Sequence, residues 1–288
     1  MGSDLLARER IQDRLDRIDI DFNEHGFDKY GVSIDRLKAF APTIASIYKH
    51  YFSVTTQSIS NVPSRGRVML ISNHAGGLPI DGLLISTACI LELEPPRLLH
   101  AMVDKFMNNI PFLSSLIREL GQMIGLPSNA KSVLDDDRAL LIFPEGAEGT
   151  GKLYFDRYKL IRFGTGFMRI ALETNTPIVP VGFVGSEEMI PSVFKIKRLA
   201  RWLGVPYIPI PPQLLPIPLP VNCRINFGEP MMFDGDGDES DEVIKGYVDE
   251  VKQKICDLLN EGLRHHESKV FPDSEATIER WESNHVNN

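Results

Sequence analysis

The sequence has few cysteines and lacks a long apolar run. Its three cysteines, Cys89, Cys223 and Cys256, are widely spaced and form no Cys-x-x-Cys pair. This pattern indicates neither a disulfide framework nor a cysteine-ligated metal, and we expect free thiols in a reducing compartment. Every apolar stretch is shorter than the about 18 residues that a membrane-spanning helix needs. The charged N-terminal segment has no apolar core of the signal-peptide type.

An excess of positive charge is also missing. The chain has 31 Lys and Arg against 39 Asp and Glu, a net charge of −8. Nucleic-acid binding calls for clustered cations against the phosphates, so we predict no nucleic-acid partner. A membrane surface is not excluded, because a local basic patch is enough to bind anionic lipid. Residues 195–202 (KIKRLARW) carry such a cluster beside Trp202, although a solvated helix face would have the same composition.

Two common motifs of nucleotide-binding proteins and hydrolases are absent. The glycine-rich stretch 143–152 (FPEGAEGTGK) ends in Lys152, but Leu153 follows where a P-loop has Ser or Thr. No serine is flanked as in the Gly-x-Ser-x-Gly turn of α/β hydrolases. The sequence therefore argues against a P-loop and against a serine nucleophile.

Strand-like and helix-like segments alternate from about residue 54 onward. This alternation is typical of an α/β fold, and we predict a single domain with a mostly parallel central sheet flanked by helices. The predicted strands are 54–62, 67–72, 97–103, 139–142, 177–184 and 224–230, and the predicted helices are 80–93, 112–123, 163–175 and 240–262. Ser240 is expected to cap the last helix, whose apolar face would be formed by Val243, Tyr247, Val251, Ile255 and Leu258.

The flanking segments divide the chain into three parts. Residues 1–53 are predicted to be an N-terminal, membrane-proximal helical segment with helices at 4–18 and 34–52, the second kinked or split at Pro42. The α/β domain is predicted to span 54–264. The polar segment 265–288 is expected to be a disordered tail.

A proline-rich segment, residues 204–221 (GVPYIPIPPQLLPIPLPV), interrupts the alternation. Its seven prolines exclude a membrane-spanning helix, and its apolar residues are unusual for a solvated linker. Two interpretations remain, a loop that packs on the core of the domain and an exposed loop that enters a bilayer interface. We favour the interfacial loop.

The stretch 72–81 (SNHAGGLPID) follows a predicted strand directly. Ligand sites of open α/β sheets form at the carboxyl ends of the strands, which is where His74 stands. A neutral histidine can take a proton from a hydroxyl, and a carboxylate such as Asp81 can orient it. Gly76 and Gly77 would let the backbone approach a ligand. The alternative is a structural loop in which Asp81 only caps the next helix.

The glycine-rich stretch 143–152 also follows a strand. Its amides suit an anion or a hydroxylated head group, and a decorated strand-to-helix turn is the alternative. Together with His74 and the later strand PIVPV, the sequence Phe143, Pro144, Glu145 and Gly146 resembles the glycerophospholipid acyltransferase superfamily, the lysophosphatidate-acyltransferase-like enzymes, from about residue 62 to 230. In that superfamily a His-x4-Asp pair is catalytic and FPEG binds the acceptor.

The resemblance implies an acyltransferase that moves a fatty acyl group from acyl-CoA or acyl-carrier protein to a hydroxyl of a glycerolipid or lysophospholipid, without a metal or bound cofactor. It implies His74 and Asp81 as the catalytic pair and a peripheral position at the cytoplasmic inner face of a membrane. The expected substrate-binding residues are Phe143, Pro144, Glu145, Gly146, Gly76, Gly77, Lys105 and Lys159. A non-catalytic lipid-binding protein and a thioester hydrolase are the alternatives.

Two features depart from the superfamily pattern. Six residues instead of four separate His74 from Asp81, so the AGG part of the spacer would have to loop out. Where many members have Gly-x-x-x-Ile-x-Arg, this chain has Gly121, Gly125 and Pro127. Without the arginine that contacts the acceptor phosphate, an acceptor with a weaker head group, such as mono- or diacylglycerol, becomes credible.

Overall fold

The computed structural model describes residues 2–74, 80–104, 113–191, 194–195, 209–210 and 217–266. Gly76, Gly77 and Lys105 lie outside these ranges. So do Trp202, most of the proline-rich segment and the tail from residue 267. Within the described ranges no helix combines the length and the hydropathy that crossing a bilayer requires.

A seven-stranded sheet forms the centre of the molecule, with the strand order β1-β9-β6-β2-β5-β3-β4. The five consecutive strands β6, β2, β5, β3 and β4 run parallel, whereas β9 is antiparallel to β6 and pairs in parallel with β1. This agrees with the predicted mostly parallel α/β sheet. The strands are β1 Thr55–Gln57, β2 Val68–Ser72, β3 Leu99–Val103, β4 Gln122–Ile124, β5 Ala139–Ile142, β6 Ile178–Val184 and β9 Arg224–Phe227, and β7 Phe194–Lys195 pairs with β8 Pro209–Ile210 in a separate hairpin.

Helices cover both faces of the sheet and extend into an N-terminal layer. They are α1 Gly2–Asp16, α2 Ile34–Ser46, α3 Ile80–Leu91, α4 Leu113–Glu119, α5 Pro127–Asp135, α6 Gly146–Thr150, α7 Gly166–Glu173, α8 Ser186–Met189 and α9 Asp241–Arg264. Pro42 lies inside α2 without ending it, and the chain continues from α2 as a π-helical turn, Ile47–Tyr51.

Alternation along the strands divides the core into two layers. In β2, Val68 and Leu70 face the layer that contains α3, while Met69 and Ile71 face the layer that contains α5, α7 and α9. All of β2 and β6 is buried, as expected for inner parallel strands covered on both faces. A third cluster, which includes Leu15, Leu37 and Leu98, packs the N-terminal helices against the end of α3.

Several predicted boundaries are wrong for identifiable local reasons. The strand predicted over 54–62 ends at Gln57, because Ser58 adopts a left-handed conformation with φ 56° and a short 3-10 turn follows. The helix predicted over 112–123 ends at Glu119, because Gly121 turns the chain at φ 94° into the unpredicted strand β4. Helix α5, which begins with Pro127 in its first turn, was also missed.

The C-terminal helix begins as predicted but presents a different face. Ser240 Oγ accepts a hydrogen bond of 3.4 Å from the amide of Val243, which is the predicted cap. Val243 itself is exposed, so its assignment to the apolar face is wrong. Compared with the predicted face, the buried face is shifted by one residue towards the C-terminus at both ends of the helix. Its residues are Ile244, Val248, Val251, Ile255, Leu259 and Gly262.

Candidate active site

Three neighbouring strands end at the candidate site. β2 leads into Asn73 and His74, β5 leads into Phe143, and β6 leads into the turn before Glu187. Because β6, β2 and β5 are adjacent and parallel, their carboxyl ends meet at one edge of the sheet. The buried Asn73 side chain ties the ends of β2 and β6 together, since it donates to Phe183 O at 3.0 Å and accepts from Phe183 N at 2.8 Å.

His74 and Asp81 are in direct contact. His74 Nδ1 lies 2.7 Å from Asp81 Oδ2, and the other carboxylate oxygen accepts from the amide of Gly82 at 2.8 Å. The Asp81 side chain is fully buried in the first turn of α3, whereas 12% of the His74 side chain is exposed. The six-residue spacer thus returns the carboxylate to the imidazole, although residues 75–79 themselves are not described.

Phe143 fixes the plane of the imidazole. The two rings are stacked with centroids 4.2 Å apart and an angle of 24° between their planes. A Cβ on Gly82 would come within 3.3 Å of the phenyl ring of Phe143, so α3 packs tightly against this side chain. The imidazole is therefore held by Asp81 at its edge and by Phe143 at its face.

The Glu145 carboxylate is buried and bonded on both oxygens. Oε1 accepts from the backbone amide of His74 at 3.0 Å, and Oε2 accepts from the amide of Ile161 at 3.0 Å. Lys152 Nζ lies 3.2 Å from Oε2. The resemblance assigns Glu145 to binding of the acceptor. In the structure its carboxylate instead binds three groups of the protein itself, the amides of His74 and Ile161 and the ammonium group of Lys152.

Lys152 lies between two buried carboxylates. Its Nζ is 3.4 Å from Glu187 Oε1, in addition to its contact with Glu145, and it donates to the carbonyl of Lys159 at 3.3 Å. Burial lowers the pKa of Lys152, but the charges of Glu187 and Glu145 more than offset this, so the net shift is upward. Burial raises the pKa of Glu187, and Lys152 opposes that shift. The lysine is therefore a charged part of the interior.

A second acidic side chain extends this buried cluster towards the end of α9. Glu188 Oε1 accepts from the hydroxyl of Tyr158 at 2.7 Å and lies 3.0 Å from His266 Nε2. The amide of Tyr158 donates to Glu187 at 3.1 Å. Sequence reasoning missed Tyr158, Glu187, Glu188 and His266. Two adjacent carboxylates directly after the apolar strand β6 were the available signal, whereas nothing in the sequence singled out His266.

The remaining predicted substrate-binding residues that the structure describes are Lys159, Pro144 and Gly146. Lys159 is exposed and contributes only its carbonyl to the buried cluster. Pro144 accepts from the amide of Gly164 at 2.9 Å, and Gly146 begins α6 with φ 57°. Among the residues that the structure describes, no group of three or more His, Cys, Asp or Glu side chains could hold a metal ion.

Comparison with known proteins points to one family. Residues 53–184 match the family model described as Acyltransferase. An uncharacterised protein of Mycobacterium leprae is 39% identical over 222 residues, which are 74% of this chain and 59% of that protein. A DGAT1/2-independent enzyme synthesizing storage lipids from Gallus gallus is 27% identical over 183 residues, 62% of this chain and 51% of that protein. The chain thus spans only part of the length of these relatives.

Among solved structures, the 1-acyl-sn-glycerophosphate (LPA) acyltransferase PlsC of Thermotoga maritima aligns with a TM-score of 0.49 and 21% identity, over 77% of this chain and 81% of that chain. The family match covers β2, β5, β6 and the helices between them, and hence His74, Asp81 and Glu145. The match of residues 53–184 to the Acyltransferase family model agrees with the predicted resemblance to the glycerophospholipid acyltransferase superfamily.

Proposed function

We propose that this protein transfers a fatty acyl group from the thioester of acyl-CoA or acyl-carrier protein to a hydroxyl of a glycerolipid or lysophospholipid. The observation that carries the proposal is the 2.7 Å contact between His74 Nδ1 and the buried carboxylate of Asp81, at the edge of an acyltransferase-family sheet. With Nδ1–H donated to Asp81, the neutral imidazole has its lone pair on Nε2.

The proposed reaction uses Nε2 of His74 as a general base. Nε2 takes the proton of the acceptor hydroxyl while the hydroxyl oxygen attacks the thioester carbonyl. The tetrahedral intermediate collapses, the carbon–sulfur bond breaks, and the leaving thiolate takes from Nε2 the proton that came from the acceptor hydroxyl. Asp81 stabilises the imidazolium that forms between the two steps. The backbone amides of Gly76 and Gly77 are proposed to bind the oxyanion.

A neutral glycerolipid is the acceptor we favour. The chain lacks the arginine that the superfamily resemblance assigns to the acceptor phosphate, and Lys131, the nearest cation to the position of that arginine, pairs with Glu173 at 3.2 Å on the surface. The Gallus gallus relative is named as an enzyme that synthesizes storage lipids. Phe143, Pro144 and Gly146 are proposed to line the acceptor site, and Lys105 and Lys159 to contact phosphates of the donor.

We further propose that the protein works as a peripheral protein at the cytoplasmic inner face of a membrane, through an exposed apolar patch formed by Ile47, Tyr51 and Ile217. The Tyr51 hydroxyl donates to Pro218 O at 2.7 Å, so the π-helical turn adjoins the end of the proline-rich segment. Lys49 and His50 are exposed on the same turn. Apolar side chains beside cationic ones suit an anionic lipid surface.

The transfer proposal can be tested with purified protein, acyl-CoA and a panel of acceptors comprising diacylglycerol, monoacylglycerol, lysophospholipids and glycerol-3-phosphate. Release of free thiol is followed together with lipid products. We expect an acylated lipid with the wild type, with the highest rate on a mono- or diacylglycerol. Activity should be lost in His74→Ala and reduced about 10²- to 10⁴-fold in Asp81→Asn, because the asparagine cannot stabilise the imidazolium.

Asp35→Asn is the matched control, since Asp35 is an exposed acidic residue in the first turn of another helix, α2. Its activity should equal that of the wild type. Full activity in His74→Ala would refute the proposed base. Thiol release with free fatty acid as the only product would indicate a thioester hydrolase instead.

A further inference from the structure

We infer that Lys152 is a positioning residue for the transfer reaction, acting through Glu145 on the backbone of His74. The inference rests on the proposed function. It assigns the Glu145 and Lys152 side chains to holding the base in place, rather than to binding acceptor or donor phosphates.

Both carboxylate oxygens of Glu145 are already bonded within the protein. A carboxylate that binds an acceptor hydroxyl must offer an oxygen to the site, but Oε1 and Oε2 each accept a backbone hydrogen bond and both contact Lys152. The Glu145 side chain is fully buried. One of the two backbone donors is the amide of His74 itself, so Glu145 determines where the chain leaves β2 just before the imidazole.

Lys152 carries a buried positive charge beside Glu145. A buried carboxylate needs a counter-charge or several donors to stay ionised and in place. Lys152 provides that charge for Glu145 and for Glu187, while only 4% of its side chain is exposed. A lysine that contacted substrate phosphate would instead have to direct its ammonium group into solvent or into an open site. Removal of the Lys152 charge should therefore act first on Glu145.

Helix α6 packs tightly on His74. A Cβ on Gly149 would lie 2.7 Å from Glu145 Cβ, 3.0 Å from His74 O and 3.1 Å from His74 Cβ. The turn between Glu145 and Lys152 thus rests directly on the histidine. Because this packing leaves no free space, a shift of Glu145 would displace the His74 backbone. It would thereby change the position of the imidazole relative to Asp81.

The test compares Lys152→Met with the wild type in steady-state kinetics of the acyl transfer. Methionine keeps most of the length of the side chain and removes the charge. We expect kcat to fall about 10- to 100-fold, the effect of an ångström-scale displacement of a catalytic group, with the KM values for acceptor and donor changed less than about twofold. A raised KM with kcat retained would show that Lys152 binds substrate, and would overturn the inference.

A second measurement needs no activity. In protein labelled with 15N-histidine, the His74 amide resonance is identified by its absence in His74→Ala. Loss of the bond to Glu145 in Lys152→Met should speed hydrogen exchange of this amide about tenfold or more and move its proton shift upfield. An unchanged His74 amide would overturn the inference whatever the kinetics show. If the wild type acylates no acceptor, the proposed function fails, and the amide still decides the role of Lys152.

Two further variants make the result specific. Removal of one charge from a buried pair can unfold a protein, so the double variant Lys152→Met, Glu187→Gln removes one charge of each sign. It should fold and show the same loss of kcat and the same change at the His74 amide. Lys29→Met removes a lysine from an exposed pair with Asp136 at 2.9 Å, and should change neither quantity. Wild-type kinetics and a wild-type His74 amide in the folded double variant would contradict the inference.

Discussion

His100 is a buried histidine whose ionisation opposes folding. Its side chain lies within β3, with Nε2 3.3 Å from Arg138 Nη1, and Nδ1 has no hydrogen-bond partner among the residues that the structure describes. The pKa of His100 is lowered to about 4, mainly by burial. The charge of Asp28 opposes this shift, and the charge of Arg138 adds to it. The residue is therefore neutral in the folded protein at pH values where it is charged in the unfolded chain.

This difference predicts a pH dependence of stability. Between the unfolded pKa of about 6.5 and the folded pKa of about 4, the unfolded state binds more protons, so the free energy of unfolding rises with pH. His100 alone should remove about 3 kcal/mol of stability as the pH falls through this window. Urea unfolding of the wild type and of His100→Leu, measured from pH 4 to 7.5, should show a shallower decline in the variant.

The exposed His25 provides the control. Its side chain is 76% exposed, so His25→Leu should keep the wild-type dependence of unfolding free energy on pH. Carboxylates contribute to the decline in all three proteins, and the difference between the proteins isolates the histidine. Parallel curves for wild type and His100→Leu would contradict the prediction.

The candidate site could be predicted from the sequence only as far as chemistry is visible in short motifs. His74 and Glu145 closely follow apolar strands, and Asp81 stands at the start of the next predicted helix, where a carboxylate can orient the imidazole. Lys152 lies in the same glycine-rich stretch as Glu145, but Glu187, the other carboxylate at Lys152, follows β6. The proximity of Glu187 depends on the order β6-β2-β5, which local sequence patterns do not encode, and so the buried cluster around Glu145 could not be predicted.

At the scale of elements, the contact between β6 and α9 depends on a glycine. A Cβ on Gly182 would lie 2.7 Å from Leu258 Cβ and 2.9 Å from the Leu258 carbonyl carbon. We expect Gly182→Ala to push α9 away from the sheet and to lower the free energy of unfolding by about 1–3 kcal/mol, the usual cost of overpacking. Urea denaturation would measure this change.

The same substitution on the exposed side of α9 should have the opposite sign. Apart from its chain neighbours and the backbone of its own helix, no atom of the described part of the chain lies within 4 Å of a Cβ built on Gly246. Gly246→Ala should therefore raise the free energy of unfolding by about 0.5–1 kcal/mol, because alanine loses less backbone entropy than glycine in a helix. Destabilisation by both substitutions would show that α9 packs differently.

Elements were predictable where one pattern dominated. β2 and β6 are continuous apolar runs, and α9 has a serine cap and a long amphipathic repeat. The errors occurred where a single backbone conformation decided the outcome: the left-handed Ser58 ends β1, and Gly121 separates α4 from β4. The displaced face of α9 reflects tertiary packing. The helix carries apolar residues on two adjacent stripes, and the stripe that is buried begins with Ile244 instead of Val243.

At the scale of the whole molecule, the patch formed by Ile47, Tyr51 and Ile217 predicts membrane binding. Changing the three residues to Ser should weaken binding to vesicles that contain anionic lipid by at least about tenfold, because each large apolar side chain contributes about 1.5–3 kcal/mol when it leaves water. Flotation of the protein with liposomes in a density gradient would measure the bound fraction.

Val243→Ser is the matched control for this experiment. Val243 is a similarly exposed apolar side chain on α9, which covers the opposite face of the sheet from the layer that contains Tyr48 and Phe52. Its flotation should equal that of the wild type. Equal flotation of the triple variant and the wild type would refute the proposed role of the patch.

The position of β2 between β5 and β6 has a consequence for synthesis on the ribosome. β2 and β5 can pair once residue 142 has emerged, but the other edge of β2 stays open until β6, which ends at Val184, is available. During that interval a strand with four consecutive apolar residues, Val68 to Ile71, exposes unpaired backbone groups, which is the condition that favours aggregation. Translational pausing between β5 and β6 should therefore lower the yield of soluble protein more than pausing after β6.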